Sequence, residues 1–364
     1  MRIAILGIRG VPASYGGFET FAEQLGIRLV DHGHEVTVYG RDRYVAHSLR
    51  THRGIRLVRL PAPRSKYLET VVHSLFAAIH ALGARYDIVY VCNSANVPAV
   101  ILLRLFGKRV VLNVDGLEWQ RAKWNRVGKA YYRVCAWLAA HLPIHVVTDA
   151  AVIQGHYRRA YGRETELFPY GADLEPVADD GTLERLDLKP RQYILYVSRL
   201  EPENNAHVVV EAYGGLDTDL PLVIVGDAPY ADAYIADLHR TADPRVRFTG
   251  AIYGAGYRIL QSHATVYVQA TEVGGTHPAL VEAMGYGNAV LANDVPEHRE
   301  TLGEAGVYYS GADELRTRLR TLLADPNELA HLRTAAHTRA SEVYGWDAIA
   351  ESYERWFAQI TNVG

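Results

Sequence analysis

Two glycine-rich turns stand where a strand pattern gives way to a helix pattern. The first runs from Gly7-Ile8-Arg9-Gly10 to Tyr15-Gly16-Gly17-Phe18-Glu19, after the apolar run Arg2–Leu6 and before a helical pattern from Thr20. The second, Thr271-Glu272-Val273-Gly274-Gly275-Thr276-His277-Pro278, follows Ala264–Gln269 and opens a segment carrying Glu282. Glycine lets a backbone approach a ligand closely, and the free N–H groups at a helix start attract phosphate. The amides of Gly16 and Gly17, and those of Gly274, Gly275, Thr276 and His277, are therefore candidate phosphate cradles. Glu282, one turn into its helix, can accept hydrogen bonds from a ribose diol. A ligand-free tight turn is the alternative for the first loop, and an ordinary exposed carboxylate is the alternative for Glu282. The spacing is not G-x-G-x-x-G, which argues against a dinucleotide cofactor.

Asp115 follows the apolar run Arg109–Asn113. A carboxylate at the carboxyl end of a parallel strand sits where α/β proteins bind ligands, so Asp115 is a candidate for orienting an acceptor or taking its proton. A turn-capping Asp-Gly pair is the plainer reading. No G-x-S-x-G, H-E-x-x-H or paired-cysteine zinc motif is present, and the 16 histidines are scattered. The single D-x-D string, Asp217-Thr218-Asp219, precedes the strand pattern Leu220–Val225 and reads as solvated loop acids, so no metal is expected.

These residues need a scaffold. The runs Arg2–Leu6, Glu35–Tyr39, Asp87–Cys92, Arg109–Asn113 and His145–Thr148 alternate with helix-length segments, which predicts a parallel sheet with crossover helices. The rhythm breaks between Gly171 and Pro190 and restarts with Tyr193–Ser198, Leu220–Val225, Val246–Phe248, Ala264–Gln269 and Ala289–Ala292. The expected organisation is a first domain over 1–171, a linker over 172–190, a second domain over 191–343, and a terminal helix over 344–364. That helix has an apolar stripe of Ile349, Tyr353, Trp356, Phe357 and Ile360 that needs a surface to cover.

With 364 residues, 49% hydrophobic and 22% charged, the chain has the length and composition of a two-domain globular protein. A net charge of -3 gives no global field for nucleic acid. No leader pattern or spanning segment is read, and Cys92 and Cys135 suit buried thiols in a reducing compartment, so a cytoplasmic protein is expected. From Trp119 to Trp137 the residues Arg121, Lys123, Arg126, Lys129 and Arg133 interleave with aromatics and no acid. That mixture suits peripheral contact with an anionic membrane, and equally a solvated basic helix whose aromatics are core.

Taken in order, these segments resemble the family 4 retaining glycosyltransferases of GT-B fold over nearly the whole chain. Gly16-Gly17-Phe18-Glu19 matches the family's N-terminal glycine loop, and Phe168-Pro169-Tyr170-Gly171-Ala172-Asp173 matches its N-G-x-D segment. Ser198-Arg199-Leu200 opens its basic donor motif, and Glu282-Ala283-Met284 ends its E-x7-E motif. Two positions depart: Asn204 stands where the family's lysine is usual, and Gly274 where the first glutamate is. Glu203-Asn204-Asn205, Gly274-Gly275-Thr276-His277-Pro278 and Val114-Asp115-Gly116-Leu117-Glu118-Trp119 look like the rhamnosyltransferase-type subgroup.

The resemblance implies two Rossmann-like, doubly wound parallel-sheet domains facing across a cleft, the first on the acceptor side and the second binding a nucleotide-sugar. It implies that Arg199 neutralises the donor diphosphate, that the amides of Gly274 to His277 hold phosphate and sugar, and that Glu282 binds the ribose. Asn204 would donate a neutral hydrogen bond in place of a charge, with Arg9 as a compensating cation. Transfer would proceed with retention, without metal or cofactor, from a deoxythymidine-diphosphate L-rhamnose or a UDP-sugar to a saccharide or lipid-linked acceptor. The terminal helix would pack on the N-terminal domain. A nucleotide-sugar epimerase on the same fold and a non-catalytic binding subunit are the rival readings.

Overall fold

The computed structural model describes residues 1–65, 67–229, 231–240 and 243–362. The chain forms two compact units. The first comprises Met1–Gln120, Trp124–Tyr170 and the segment from Trp346; the second comprises Arg121–Lys123 and Gly171–Gly345.

The first unit contains β1 (Arg2–Leu6), α1 (Gly17–Asp31), β2 (Glu35–Arg41), β3 (Thr51–His52), β4 (Ile55–Leu60), α2 (Glu69–Leu82), β5 (Ile88–Cys92), α3 (Val97–Leu105), β6 (Val110–Val114), α4 (Arg126–His141), β7 (His145–Thr148), α5 (Ala151–Tyr161) and β8 (Glu166–Leu167). The strand order is β3-β4-β2-β1-β5-β6-β7-β8, parallel throughout except for β3 against β4. Its central strands are buried on both faces, so β5 (Ile-Val-Tyr-Val-Cys) is apolar without alternation.

The second unit contains α6 (Thr182–Arg185), β9 (Ile194–Val197), α7 (Ala206–Gly214), β10 (Leu222–Val225), α8 (Asp232–His239), β11 (Val246–Gly250), α9 (Gly254–His263), β12 (Val266–Gln269), α10 (Pro278–Gly285), β13 (Ala289–Asn293), α11 (Pro296–Leu302), β14 (Val307–Tyr309), α12 (Gly311–Leu323) and α13 (Pro326–Val343). Its order, β11-β10-β9-β12-β13-β14, is parallel throughout and is the 3-2-1-4-5-6 order of a doubly wound sheet. Both expected parallel sheets are present.

The 172–190 stretch, expected as a linker, is structured within the second unit. Asp180 accepts from the Thr182 amide at 3.1 Å and Asp179 from the Leu183 amide at 3.1 Å, so the acids that read as a turn signal start α6. Leu183 is buried, and the Val177 amide donates to Ser262 Oγ at 2.9 Å.

The chain ends on α14 (Trp346–Asn362), which belongs to the first unit. Ile349, Tyr353, Trp356 and Phe357 lie on its buried face, as the helical spacing predicts. Tyr353 and Tyr90 on β5 share a hydrogen bond of 3.0 Å, and Glu354 reaches His32 at 2.7 Å and His34 at 2.8 Å. Val363 and Gly364, the end of the expected segment, lie outside the described residues.

Candidate active site

In the second unit the strand order reverses between β9 and β12, the point at which open α/β sheets bind ligands. Ser198-Arg199 directly follow β9 and β12 leads into the Gly274–His277 loop, so the two segments expected to bind a donor flank that switch point. Gly226, closing β10, has φ of +153°, and a Cβ there would lie 1.8 Å from the Ser198 carbonyl oxygen. Glycine is therefore required for β10 to pass beside the donor segment.

The Arg199 guanidinium lies 3.6 Å from Glu201, and Lys123 Nζ lies 3.5 Å from the same oxygen. Burial pushes the Glu201 carboxyl up, but Arg199, Lys123 and Arg121 together hold it below the usual range. Three cations thus converge on one carboxylate. Arg121 and Lys123, expected at a lipid surface, belong to the second unit; Arg121 is buried and Lys123 partly buried. They add two cations beside Arg199 around Glu201. Arg9, the compensating cation expected from the sequence, lies in the first unit with its guanidinium over the Tyr15 ring, 3.1 Å from the centroid.

Asn204, expected to donate to the donor, is engaged within the protein. Asn204 is buried and its Nδ2 donates to the Arg199 carbonyl at 2.6 Å, which fixes the Arg199 backbone. Asn205 has a left-handed φ of 57° and donates to the Ala270 carbonyl at 3.0 Å and to Glu272 at 2.8 Å. The Asn-Asn pair ties the β9 segment to the β12 loop. It positions the site's cations and amides.

Gly274 has a local explanation too. A Cβ there would lie 2.5 Å from Cε1 of the His277 imidazole, so the ring fills the space that the family's glutamate would need. His277 packs on His298 with ring centroids 5.0 Å apart. Burial, then His298, Arg121 and Arg199, holds its pKa well below the ordinary value, and the ring is neutral at pH 7. Its Nε2 has no hydrogen-bond partner among the described residues.

Glu282, one turn into α10, accepts a hydrogen bond from the Tyr257 hydroxyl, to which Gln261 donates at 3.1 Å. It is therefore not a plain solvated carboxylate. Burial is the main cause that raises its pKa to about 8; Asp173 adds to the rise, and the Tyr257 bond and Arg258 oppose it. Tyr257 is not singled out by the sequence, because one tyrosine on a helix has no signature.

In the first unit, Gly16 precedes α1 with extended backbone and its carbonyl accepts from the Glu19 and Thr20 amides at 3.2 Å each. Glu19 turns back to accept from the Arg9 amide at 2.7 Å, and Glu23 accepts from the Ala13 amide at 2.6 Å. These carboxylates shape the loop, and the Gly17 and Phe18 amides open α1 ahead of any intrahelical acceptor. Asp115 follows β6, with the buried Tyr170 hydroxyl 3.5 Å from its Oδ2. Burial, then Asp115 and Asp149, pushes the Tyr170 phenol well up. Asp149 follows β7 as Asp115 follows β6, and that same positional signal could have found it.

Among the described residues, no group of three or more His, Cys, Asp or Glu side chains is placed to hold a metal ion. Nor is any helix long and apolar enough to cross a membrane.

Residues 16–171 match the family described as "Glycosyl transferase 4-like domain", and residues 191–325 match "Glycosyl transferases group 1". The chain belongs to the glycosyltransferases of GT-B type. Among curated relatives of this glycosyltransferase is a "Phosphatidyl-myo-inositol mannosyltransferase" of Mycobacterium tuberculosis, 29% identical over 220 residues, or 56% of this chain and 57% of that protein. The match thus spans little more than half of the relative's length. Among solved structures, a sucrose-phosphate synthase from Thermosynechococcus elongatus superposes with a TM-score of 0.82 at 21% identity, covering 100% of both chains. HepE of Anabaena in complex with UDP-glucose superposes with a TM-score of 0.79 at 18% identity, covering 99% of this chain and 100% of that one. At such identities these two speak to the fold.

Proposed function

We propose that this glycosyltransferase moves a sugar, with retention and without a metal, from a nucleotide-diphosphate donor onto a saccharide or lipid-linked acceptor of a cell-surface polysaccharide, working in the cytoplasm. The observation that carries the donor reading is the convergence of Arg199, Lys123 and Arg121 on Glu201 at the end of β9. A diphosphate offers these cations a stronger partner than one carboxylate, and the amides of Gly274 to His277 add donors at the start of α10.

As the bond from the anomeric carbon to the phosphate oxygen breaks, negative charge grows on that phosphate, and preorganised cations stabilise it there. The leaving phosphate oxygen takes the acceptor hydroxyl proton while the acceptor oxygen bonds the anomeric carbon on the same face. No enzymatic nucleophile is needed. Glu282 accepts from the ribose hydroxyls, His277 Nε2 contacts the sugar, and Asp115 orients the acceptor.

Subgroup resemblance ranks deoxythymidine-diphosphate L-rhamnose first and UDP-sugars next; the mannosyltransferase relative adds a mannose donor to the panel. A thermal-shift screen of these donors, followed by measured release of nucleoside diphosphate with and without acceptor, tests the assignment. A ligand at about 100 times its dissociation constant stabilises by roughly 2.7 kcal/mol. Product formed without acceptor marks an epimerase, and binding without transfer marks a binding subunit.

Peripheral contact with anionic membrane is part of the proposal. With Arg121 and Lys123 turned to Glu201, its basis on α4 is the outward row of Arg126, Arg133, Val127, Val134 and Trp137, all exposed.

A further inference from the structure

The carboxyl edge of the first unit's sheet carries the Gly16 loop and Asp115. At the opposite edge, where β5, β6 and β7 begin, lies a cavity of 720 Å³. Arg104, Lys108 and Arg109 of the α3–β6 turn line it together with His145 at the start of β7, and Trp356 and Ile360 of α14 form an apolar wall. Arg104 donates to the Lys108 carbonyl at 3.2 Å and Lys108 to the Ala84 carbonyl at 2.6 Å, so this rim is fixed. The Arg109 guanidinium makes no hydrogen bond or ion pair with a described residue. Of the two acids in the lining, Asp87 is engaged by Arg2, its Oδ2 accepting the Arg2 amide at 2.6 Å, and Glu166 is exposed. The cavity is thus net basic, with one cation uncommitted.

Its rim is also apolar. Leu105 and Phe106, between Arg104 and Lys108, are 78% and 66% exposed. The C-terminal turns of α2 and α4 bring Ile79 and Trp137, both more than half exposed, to the same edge of the sheet. Adjacent exposed apolar side chains beside a basic cavity are complementary to a surface that presents phosphate above hydrocarbon.

We propose that this edge seats an anionic phospholipid, with the headgroup phosphate against Arg109 and Arg104 in the cavity and Leu105 and Phe106 inserted among the acyl chains. The site deepens the membrane contact proposed above, and it gives that contact an anchor besides α4. Nothing in it touches donor or acceptor chemistry.

The test is sedimentation of the full chain with vesicles of phosphatidylglycerol and phosphatidylcholine, or of phosphatidylcholine alone, using wild type, Arg109→Gln, Leu105→Ser with Phe106→Ser, and Arg126→Gln with Arg133→Gln. Thermal melting and the donor-induced melting shift check that each variant is folded. The expected result is binding to anionic vesicles that falls at least fivefold in Arg109→Gln and in the Leu105, Phe106 pair, while the donor-induced shift is unchanged. If only the Arg126, Arg133 pair loses binding, the membrane contact stands on α4 and this site is overturned. If wild type ignores anionic vesicles, both readings fall. A melting shift with inorganic phosphate that Arg109→Gln abolishes, together with vesicle binding that it leaves intact, would assign the cavity to a soluble phosphate and overturn the lipid site.

Discussion

The imidazole of His277 stands where a side chain on residue 274 would have to go, with a Cβ at Gly274 falling 2.5 Å from His277 Cε1. The two residues are therefore one device: the loop keeps the histidine because it has no side chain at 274. Gly274→Glu, which restores the residue usual in the wider family, is expected to displace His277. Affinity for nucleoside diphosphate should weaken by about tenfold or more, the scale of one lost site contact. Calorimetric titration measures it, and an unchanged dissociation constant would separate the two residues.

Arg199→Ala should weaken nucleoside-diphosphate binding by about 1.5–3 kcal/mol, roughly tenfold to a hundredfold. Lys123→Ala should show a loss of the same sign, because both cations face Glu201. A Lys123 variant with intact donor affinity would confine the site to Arg199.

The pull of its cations makes Glu201 a stabilising group with a definite pH signature. Its folded pKa lies below the unfolded value, so its contribution is present above the unfolded pKa near 4.5 and is lost as pH falls through the folded value. Glu201→Gln should therefore melt lower than wild type at pH 7, and the gap should close in acid. A gap independent of pH would trace the effect to packing.

Glu282 behaves in the opposite sense. With a folded pKa of about 8 against an ordinary carboxyl value of 4.5, the folded protein holds the proton more tightly, so stability declines as pH rises between those values. Glu282→Gln should remove that decline, with a gain of at least about 1 kcal/mol at pH 9. Donor affinity in wild type should rise as pH passes 8, since the carboxylate is the better acceptor for ribose hydroxyls. Titrations of donor at pH 6.5 and 9, with wild type and Glu282→Gln, measure both; a flat profile in wild type would remove Glu282 from the ribose contact.

Transfer is expected to survive EDTA at full rate, since the proposal assigns charge stabilisation to Arg199, Lys123 and Arg121. Activity that disappears on chelation and returns with magnesium or manganese would replace that account.

The sequence was most readable where burial is continuous. β1 and β7 fall on their expected spans, and the other apolar runs differ by one or two residues at their ends. β4 was not read because Arg56 and Arg59 interrupt its apolar residues, and β14, with three residues, is too short for any period to register. In the site, glycine loops and strand ends were legible because backbone needs dictate them. The direction of Arg121 and Lys123 was not. A basic, aromatic composition is the same whether its cations face lipid or a carboxylate 78 residues away, and only the fold chooses. The roles of Asn204 and His277 were hidden for the same reason, since each depends on what its side chain touches.

The return of α14 to the first unit has a consequence during synthesis. The ribosome makes β1 to β8 first, yet Tyr353 and Phe357, both fully buried in that unit, are not translated until all of the second unit has been. At about 5–20 residues per second, the nascent first unit waits on the order of ten seconds or more with its α1 and β5 flank uncovered. The second unit, whose residues from Gly171 to Gly345 are contiguous apart from Arg121–Lys123, can assemble during that wait. Ribosome-bound chains stopped just after Tyr344 should accordingly recruit chaperones through the first unit, and release them once α14 has emerged.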